Sequence, residues 1–210
     1  MTTMQLCAGS LPVADPQALL ADYLNPSYGY AWPAYDTLVT NESATLVSGD
    51  LLAPALLEAH VDAARFGVLV EMLPQLSGVG SLPPRSLADA TDDDIAAVAS
   101  LFGVLDTEQY RRRGVRGTIV SKVLHRKRPD LVPLYDSRID AGYRASGHIP
   151  HDPHRSWVHF MDQICRLMRD DLQQEAEAFS DLVVFAKEQG AEITPLRILD
   201  ILVWMSLEDG

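Results

Sequence analysis

The segment 110–147 reads YRRRGVRGTIVSKVLHRKRPDLVPLYDSRIDAGYRASG and holds two glycines three positions apart, Gly114 and Gly117. Apolar side chains recur at helical spacing after the second glycine, and this spacing predicts a helix over about 118–126. A preceding helix is predicted to end near Tyr110. We therefore expect a helix, a hairpin and a second helix within residues 105–145 of an all-α chain.

The predicted turn has the features of an anion-binding site. The first amides of a helix have no partner within the helix and carry partial positive charge, and arginines flank them here. The candidate phosphate-binding residues are Arg111, Arg112, Arg113, Gly114, Arg116, Gly117, Thr118 and Lys122. Further ligand contacts are predicted at Arg126, Arg128, Tyr135 and Arg138.

Charge is distributed unevenly along the 210 residues, whose formal net charge is -12. Residues 1–110 carry 2 basic and 14 acidic side chains, residues 111–144 carry 10 and 3, and residues 145–210 carry 5 and 12. A basic segment can attract phosphate or a nucleic-acid backbone, whereas an acidic remainder disfavours non-specific duplex binding. Alternatively, the basic segment pairs with the protein's own acidic surface or with an acidic partner.

Asp136 follows the apolar run LVPLY and directly precedes Ser137. An aspartate in this position is often the N-cap of the next helix, where its carboxylate accepts a hydrogen bond from an amide such as that of Ile139. The same carboxylate is the candidate catalytic group, because it could accept a proton during a reaction. Both interpretations stay open.

The order of Gly114, Gly117, Leu124 and Asp136, followed by Ile139, is similar to that of the helix-hairpin-helix DNA glycosylase superfamily. The resemblance is confined to this segment. It implies that the hairpin holds backbone phosphate and that the aspartate assists chemistry at a flipped nucleotide.

Two positions depart from the superfamily. Arg116 stands where its second hairpin glycine would be, and Thr118 stands where its lyase-type members have a Schiff-base lysine. The resemblance therefore implies a monofunctional hydrolase at most, or a relative that binds without catalysis. The whole chain, including DLLAPALLEAHV and KVLHRKRPDLVPLYDSRI, also resembles a family of bacterial proteins with no assigned activity.

The remaining sequence also predicts helices, and residues 1–210 are expected to form a single domain. Thr91 and Thr194 are predicted N-caps, and Leu199 and Trp204 are predicted core residues of the last helix. No strand pattern competes. The expected helices lie at about 15–24, 50–73, 91–104, 156–179 and from 194 onward, with loops at 25–36, 76–90 and 145–155.

A group of imidazoles with one carboxylate follows the basic segment: His148, His151, His154 and His159, with Asp152. These are good zinc or iron ligands. Interspersed prolines break the helix that would align them, so we predict no metal site and no cofactor.

A second group, the aromatic residues Tyr28, Tyr30, Trp32 and Tyr35, lies in the first predicted loop. Such rings can stack on a base or another flat ligand. They can equally anchor a long loop to a helical core.

The sequence contains neither an apolar stretch that predicts a membrane span nor a secretory signal. Cys7 and Cys165 are far apart, which fits a reducing compartment, so we expect a cytoplasmic protein.

The leading functional hypothesis is a non-catalytic protein that binds a phosphate-bearing ligand, either nucleic acid or nucleotide, with Asp136 as the polar group of the site. Three alternatives remain: a glycosylase-like hydrolase that uses Asp136, an interaction module whose basic helix docks an acidic protein or a second copy, and a small-molecule enzyme with a helical cavity and the histidine loop.

Overall fold

The computed structural model describes residues 3–30, 32–37, 45–110, 113–150, 152 and 154–207. The described chain is mostly helical. Its α-helices are α1 (Pro16–Leu24), α2 (Trp32–Asp36), α3 (Ala63–Leu76), α4 (Asp92–Leu101), α5 (Gly117–His125), α6 (Ser137–Ala145), α7 (Trp157–Gln174), α8 (Ala176–Glu188) and α9 (Pro195–Ser206). Its 3-10 helices are Pro26–Tyr28, Ser48–Leu57, Ser77–Ser81 and Phe102–Asp106.

A small antiparallel hairpin corrects the all-α expectation. Strands β1 (Met4–Leu6) and β2 (Leu11–Val13) pair with Met4 opposite Val13. The buried carboxylate of Asp171 on α7 accepts hydrogen bonds from the amides of Cys7 and Ala8 in the connecting turn. Each strand has only three residues, too few for a recognisable alternation in the sequence.

The predicted capping residues begin their helices as expected. Thr194 caps α9 ahead of Pro195. At the predicted start of the first helix, the Asp15 side chain accepts a hydrogen bond from the Ala18 amide, a cap that was not predicted. Thr91 forms a capping box with Asp94. The aspartates in the first turn of α4 therefore stabilise the N-terminal end of this helix.

The helix predicted over 50–73 is wrong in its central part. The chain forms the 3-10 helix up to Leu57, leaves it at Glu58 with a left-handed backbone, and begins α3 only at Ala63. Leu52 and Val70, which lie 18 positions apart and would share one apolar face of a continuous helix, are 52% and 43% exposed. Because the break changes the helical phase, the predicted face does not match the buried one.

The helix predicted to end near Tyr110 is also absent. Helix α4 ends at Leu101, a 3-10 turn follows, and the described residues between that turn and α5, 107–110 and 113–116, form no regular helix. The second predicted helix is present as α5, but it is preceded by this longer connector. The single helix predicted over 156–179 is divided at Glu175 into α7 and α8.

Helix α9 lies at the centre of the fold and contacts α1, α6, α7 and α8. Leu199 is fully buried, as predicted, but Trp204 is only partly buried. Two charged residues of this helix, Arg197 and Asp200, are buried beside the apolar ones. None of the described helices combines the length and apolarity needed to cross a membrane.

Candidate functional site

A cavity of about 420 Å³ opens where α5, the start of α6 and α9 meet the segment after α1. Its volume lies within the range of about 300–1,000 Å³ that is usual for ligand pockets. The residues that line it are Tyr23, Tyr28, Gly29, Tyr30, Leu57, Glu58, Lys122, Leu134, Tyr135, Asp136, Arg138, Arg197, Asp200, Ile201 and Trp204. Four of the sequence-predicted site residues, Lys122, Tyr135, Asp136 and Arg138, thus converge on one cavity.

Lys122 reaches the cavity from the middle of α5 and is almost completely buried. Its Nζ atom donates a hydrogen bond of 2.7 Å to the carbonyl oxygen of Leu57. Burial lowers the pKa of Lys122 below its usual value, and the charges of Asp136 and Asp200 oppose that shift. A buried ammonium beside carboxylates is a typical feature of functional sites.

Asp136 is both a helix cap and a cavity residue. Its Oδ1 atom accepts hydrogen bonds from the amides of Arg138 and Ile139, at 2.9 and 3.0 Å. This confirms the predicted capping contact. Among the described residues, none donates a hydrogen bond to Oδ2, so that oxygen can still meet a ligand.

Arg197 lines the cavity and is almost completely buried. Its guanidinium binds Asp200, lies 3.2 Å from Asp36 Oδ1 and donates a 2.8 Å hydrogen bond to the Tyr23 hydroxyl. Burial raises the pKa of Asp200 to about 6, although Arg197 counteracts the rise. One arginine between two carboxylates keeps the buried charges paired.

Aromatic rings form one wall. Tyr23 and Tyr30 stack with centroids 5.0 Å apart, and Trp204 meets Tyr30 edge-on at 5.8 Å. The guanidinium of Arg138 lies over the Trp204 ring, 3.9 Å from its centroid. Tyr28 lies at the cavity with 60% of its surface exposed.

The predicted aromatic surface is therefore divided between two roles. Tyr28 and Tyr30 line the cavity, whereas Trp32 and Tyr35 are buried. The Tyr35 hydroxyl donates a hydrogen bond to the carbonyl oxygen of Lys122, which fixes α5 from behind.

The glycine turn lies outside the lining of this cavity. Arg113 pairs with Glu71, with Nη2 to Oε1 at 3.0 Å, and Gly114 adopts φ 80°. Arg116 is exposed at the start of α5. Arg111 and Arg112 lie outside the described residues.

The first turn of α5 is closely packed. A Cβ atom on Gly117 would overlap the Trp157 ring and lie 3.1 Å from Cδ1 of Tyr135. The next residue, Thr118, is only partly buried. Packing against an indole therefore accounts for this glycine without an anion.

Two more residues that were predicted to contact a ligand, Arg126 and Arg128, contact other parts of the protein instead. Arg126 lies over the Tyr35 ring, 5.5 Å from its centroid. Arg128 donates hydrogen bonds to the carbonyl oxygens of Gly80 and Leu82. These contacts agree with the interpretation that part of the basic segment serves internal pairing.

The histidine loop has no metal-binding arrangement among the residues that the structure describes, which leave out His151. The carboxylate of Asp152 accepts a hydrogen bond from the His154 amide. Ser156 caps α7, and its side chain accepts a hydrogen bond from the His159 amide.

Sequence reasoning missed Tyr23, Glu58, Arg197 and Asp200 as cavity residues. The last two had a detectable pattern, because an arginine and an aspartate three positions apart interrupt the apolar helix PLRILDILVWMS. Charged residues on the buried face of a helix are normally paired or functional. Tyr23 and Glu58 carried no comparable indication.

The chain belongs to a family described as a family of unknown function (DUF6308), whose profile matches residues 16–207. Searches of the curated proteins and of the solved structures find no match.

Proposed function

We propose that this member of the DUF6308 family binds a mononucleotide, an aromatic base joined to a phosphate, in the cavity between α5, α6 and α9. The observation that carries the proposal is that Lys122 and Arg138 line the same cavity as the rings of Tyr28, Tyr30 and Trp204. Cationic groups beside aromatic faces match the two chemically distinct parts of a nucleotide.

We assign the phosphate to the side of the cavity that Lys122 and Arg138 line. The ammonium group of Lys122 has three donors, and Leu57 uses one of them. Arg138 contributes a second positive charge at the start of α6. Asp136 and Asp200 lie in the same cavity and repel multiple negative charges, so a monophosphate fits better than a triphosphate.

We assign the base to the side of the cavity that the rings of Tyr28, Tyr30 and Trp204 line. Tyr28 is the last residue of the 3-10 helix Pro26–Tyr28, which Gly29 ends with φ 76°. This short helix holds the exposed ring at the cavity. A base that stacks on an aromatic ring gains about 1–3 kcal/mol. A flat ligand would therefore cover a ring that is now exposed.

A mononucleotide is favoured over a nucleic-acid duplex. Along the described part of the basic segment, Arg113 pairs with Glu71 and Arg128 binds backbone carbonyls. A duplex interface needs several cations that face the solvent together. We further propose a cytoplasmic location, which the buried free thiols of Cys7 and Cys165 support.

The test is isothermal titration calorimetry with nucleoside monophosphates. Lys122→Met keeps the apolar stem and removes the charge, so we expect affinity to fall about tenfold or more. Lys187→Met, at an exposed position of α8, is the matched control and should leave affinity unchanged. Absence of binding by the wild type contradicts the proposal. Weakening by Arg116→Gln but not by Lys122→Met moves the site to the glycine turn.

The second candidate is a glycosylase-like hydrolase, which the Oδ2 atom of Asp136 favours because no described residue donates a hydrogen bond to it. A carboxylate so placed can assist cleavage of a base from its sugar. Chromatography would detect free base released from nucleotides or damaged DNA by the wild type, and Asp136→Asn should abolish the release. No release by the wild type excludes this candidate.

A further inference from the structure

Glu58 has an unusual backbone conformation for a residue with a side chain. It ends the 3-10 helix Ser48–Leu57 in the left-handed region, with φ 58° and ψ 12°. Glycine or asparagine usually occupies such a position, because a Cβ atom is unfavourable there. A glutamate at this point costs stability, which suggests that its side chain has a use.

The surroundings of Glu58 indicate what that use is. Its side chain is exposed and lines the cavity, as does the exposed ring of Tyr28. Within the described chain, no group donates a hydrogen bond to the Glu58 carboxylate. The preceding residue, Leu57, is fixed through its carbonyl oxygen by Lys122, so the position of Glu58 relative to the cavity is defined.

We propose that Glu58 selects the base of the nucleotide and favours one with two adjacent N–H donors, as in guanine. This inference rests on the proposed function. An ionised carboxylate only accepts hydrogen bonds, and its two oxygens match two parallel donors. The N1–H and amino groups of guanine provide that pair. Adenine and cytosine offer an amino group beside a ring acceptor, and the N–H of uracil lies between two carbonyl oxygens.

The other carboxylates of the cavity are less suited to this role. Asp200 is buried and paired with Arg197, and Oδ1 of Asp136 is occupied by two amides of α6. Glu58 alone among the lining carboxylates of the described chain is exposed. It can therefore meet the base that stacks on Tyr28.

The experiment compares GMP, AMP, CMP and UMP by calorimetry on the wild type, Glu58→Gln and Glu58→Gly. We expect the wild type to bind GMP about tenfold or more tightly than AMP. Both variants should lose the preference for GMP over AMP, because glutamine and glycine no longer present two acceptors to the N1–H and amino groups of guanine. Glu58→Gly should also raise the melting temperature, because glycine relieves the left-handed backbone. Glu188→Gln, exposed at the end of α8, is the control and should keep the preference.

The outcomes separate the two proposals. If all four nucleotides bind equally well, or if Glu58→Gln keeps the preference for GMP, the role of Glu58 is wrong and mononucleotide binding stands. If no nucleotide binds the wild type, both proposals fail. A melting temperature lowered by Glu58→Gly contradicts the argument from backbone strain.

Discussion

Lys122 and Leu57 are 65 positions apart in the chain, and the lysine Nζ atom donates a 2.7 Å hydrogen bond to the leucine carbonyl oxygen. The bond joins helix α5 to the last residue of the 3-10 helix Ser48–Leu57. It also satisfies one donor of an ammonium group that is almost completely buried. The cavity therefore contains a cation that is held in place before any ligand arrives.

The first prediction follows from the pKa of Lys122, which burial lowers from its ordinary value of 10.5. As the pH rises through the lowered pKa, the amine loses its proton and can no longer attract phosphate. We expect the affinity for a nucleoside monophosphate to fall at a pH below 10.5. Calorimetry at several pH values from 7 to 10 measures this affinity.

The control for this prediction is Lys122→Arg, because a guanidinium stays charged over the whole range. Its affinity at pH 7 is expected to be lower, since the shape differs, but its pH dependence should be flat. A wild-type profile as flat as that of Lys122→Arg would show that the charge of Lys122 does not carry the phosphate.

The second prediction concerns the cap formed by Asp136. Asparagine caps a helix about as well as aspartate, so Asp136→Asn should leave the free energy of unfolding nearly unchanged, whereas Asp136→Ala should lose about 1 kcal/mol. Urea denaturation followed by circular dichroism measures both. Equal losses in the two variants would mean that the charge, and not the amide hydrogen bonds, stabilises α6.

Local sequence patterns account for what was correctly predicted. The caps at Thr91, Asp136 and Thr194 involve residues within three positions of each other, and the structure has all three. Lys122 was predicted to bind phosphate because it lies in the basic segment. Its predicted role was at the glycine turn, whereas the structure places its side chain in the lining of the cavity, to which the turn does not contribute.

The failures have physical causes at particular residues. Apolar spacing continues across Pro54 and Glu58, so periodicity alone could not reveal the break at the left-handed residue. The network around Arg197 joins Tyr23 and Asp36 to α9 across 174 and 161 positions. Contacts of such separation leave no periodic trace, and the cavity exists only once they form.

The third prediction concerns Asp200, whose pKa in the folded protein is raised to about 6 from an ordinary value of 3.8. Between these values the folded state holds a proton that the unfolded state has released. The free energy of unfolding therefore decreases as the pH rises from about 4 to about 6. Asp200→Asn should remove about 1–3 kcal/mol of that decrease, because asparagine does not titrate.

Thermal or urea unfolding of both proteins at several pH values tests this prediction. Burial also raises the pKa of Asp171, so only the difference between wild type and variant isolates Asp200. The exposed Asp181→Asn serves as the control and should reproduce the wild-type profile. A variant whose profile equals that of the wild type would show that Asp200 stays ionised throughout.

The last prediction concerns the packing of Gly117 beneath the Trp157 ring. A methyl group there would overlap the indole and press on Tyr135, which lines the cavity. Gly117→Ala should therefore lower the free energy of unfolding by about 1–3 kcal/mol. Gly67→Ala is the matched control: its Cβ would meet nothing within 4 Å, and alanine is the better helix former in α3 by about 0.5–1 kcal/mol.

Denaturant titration of both variants gives the comparison, and a double-mutant cycle identifies the cause. Trp157→Leu removes the ring that the new methyl group would strike, so Gly117→Ala should cost markedly less in that background than in the wild type. The same cost in both backgrounds would mean that the alanine is excluded by something other than the indole. If the double variant regains stability but not nucleotide binding, the methyl group still displaces Tyr135, which lines the cavity.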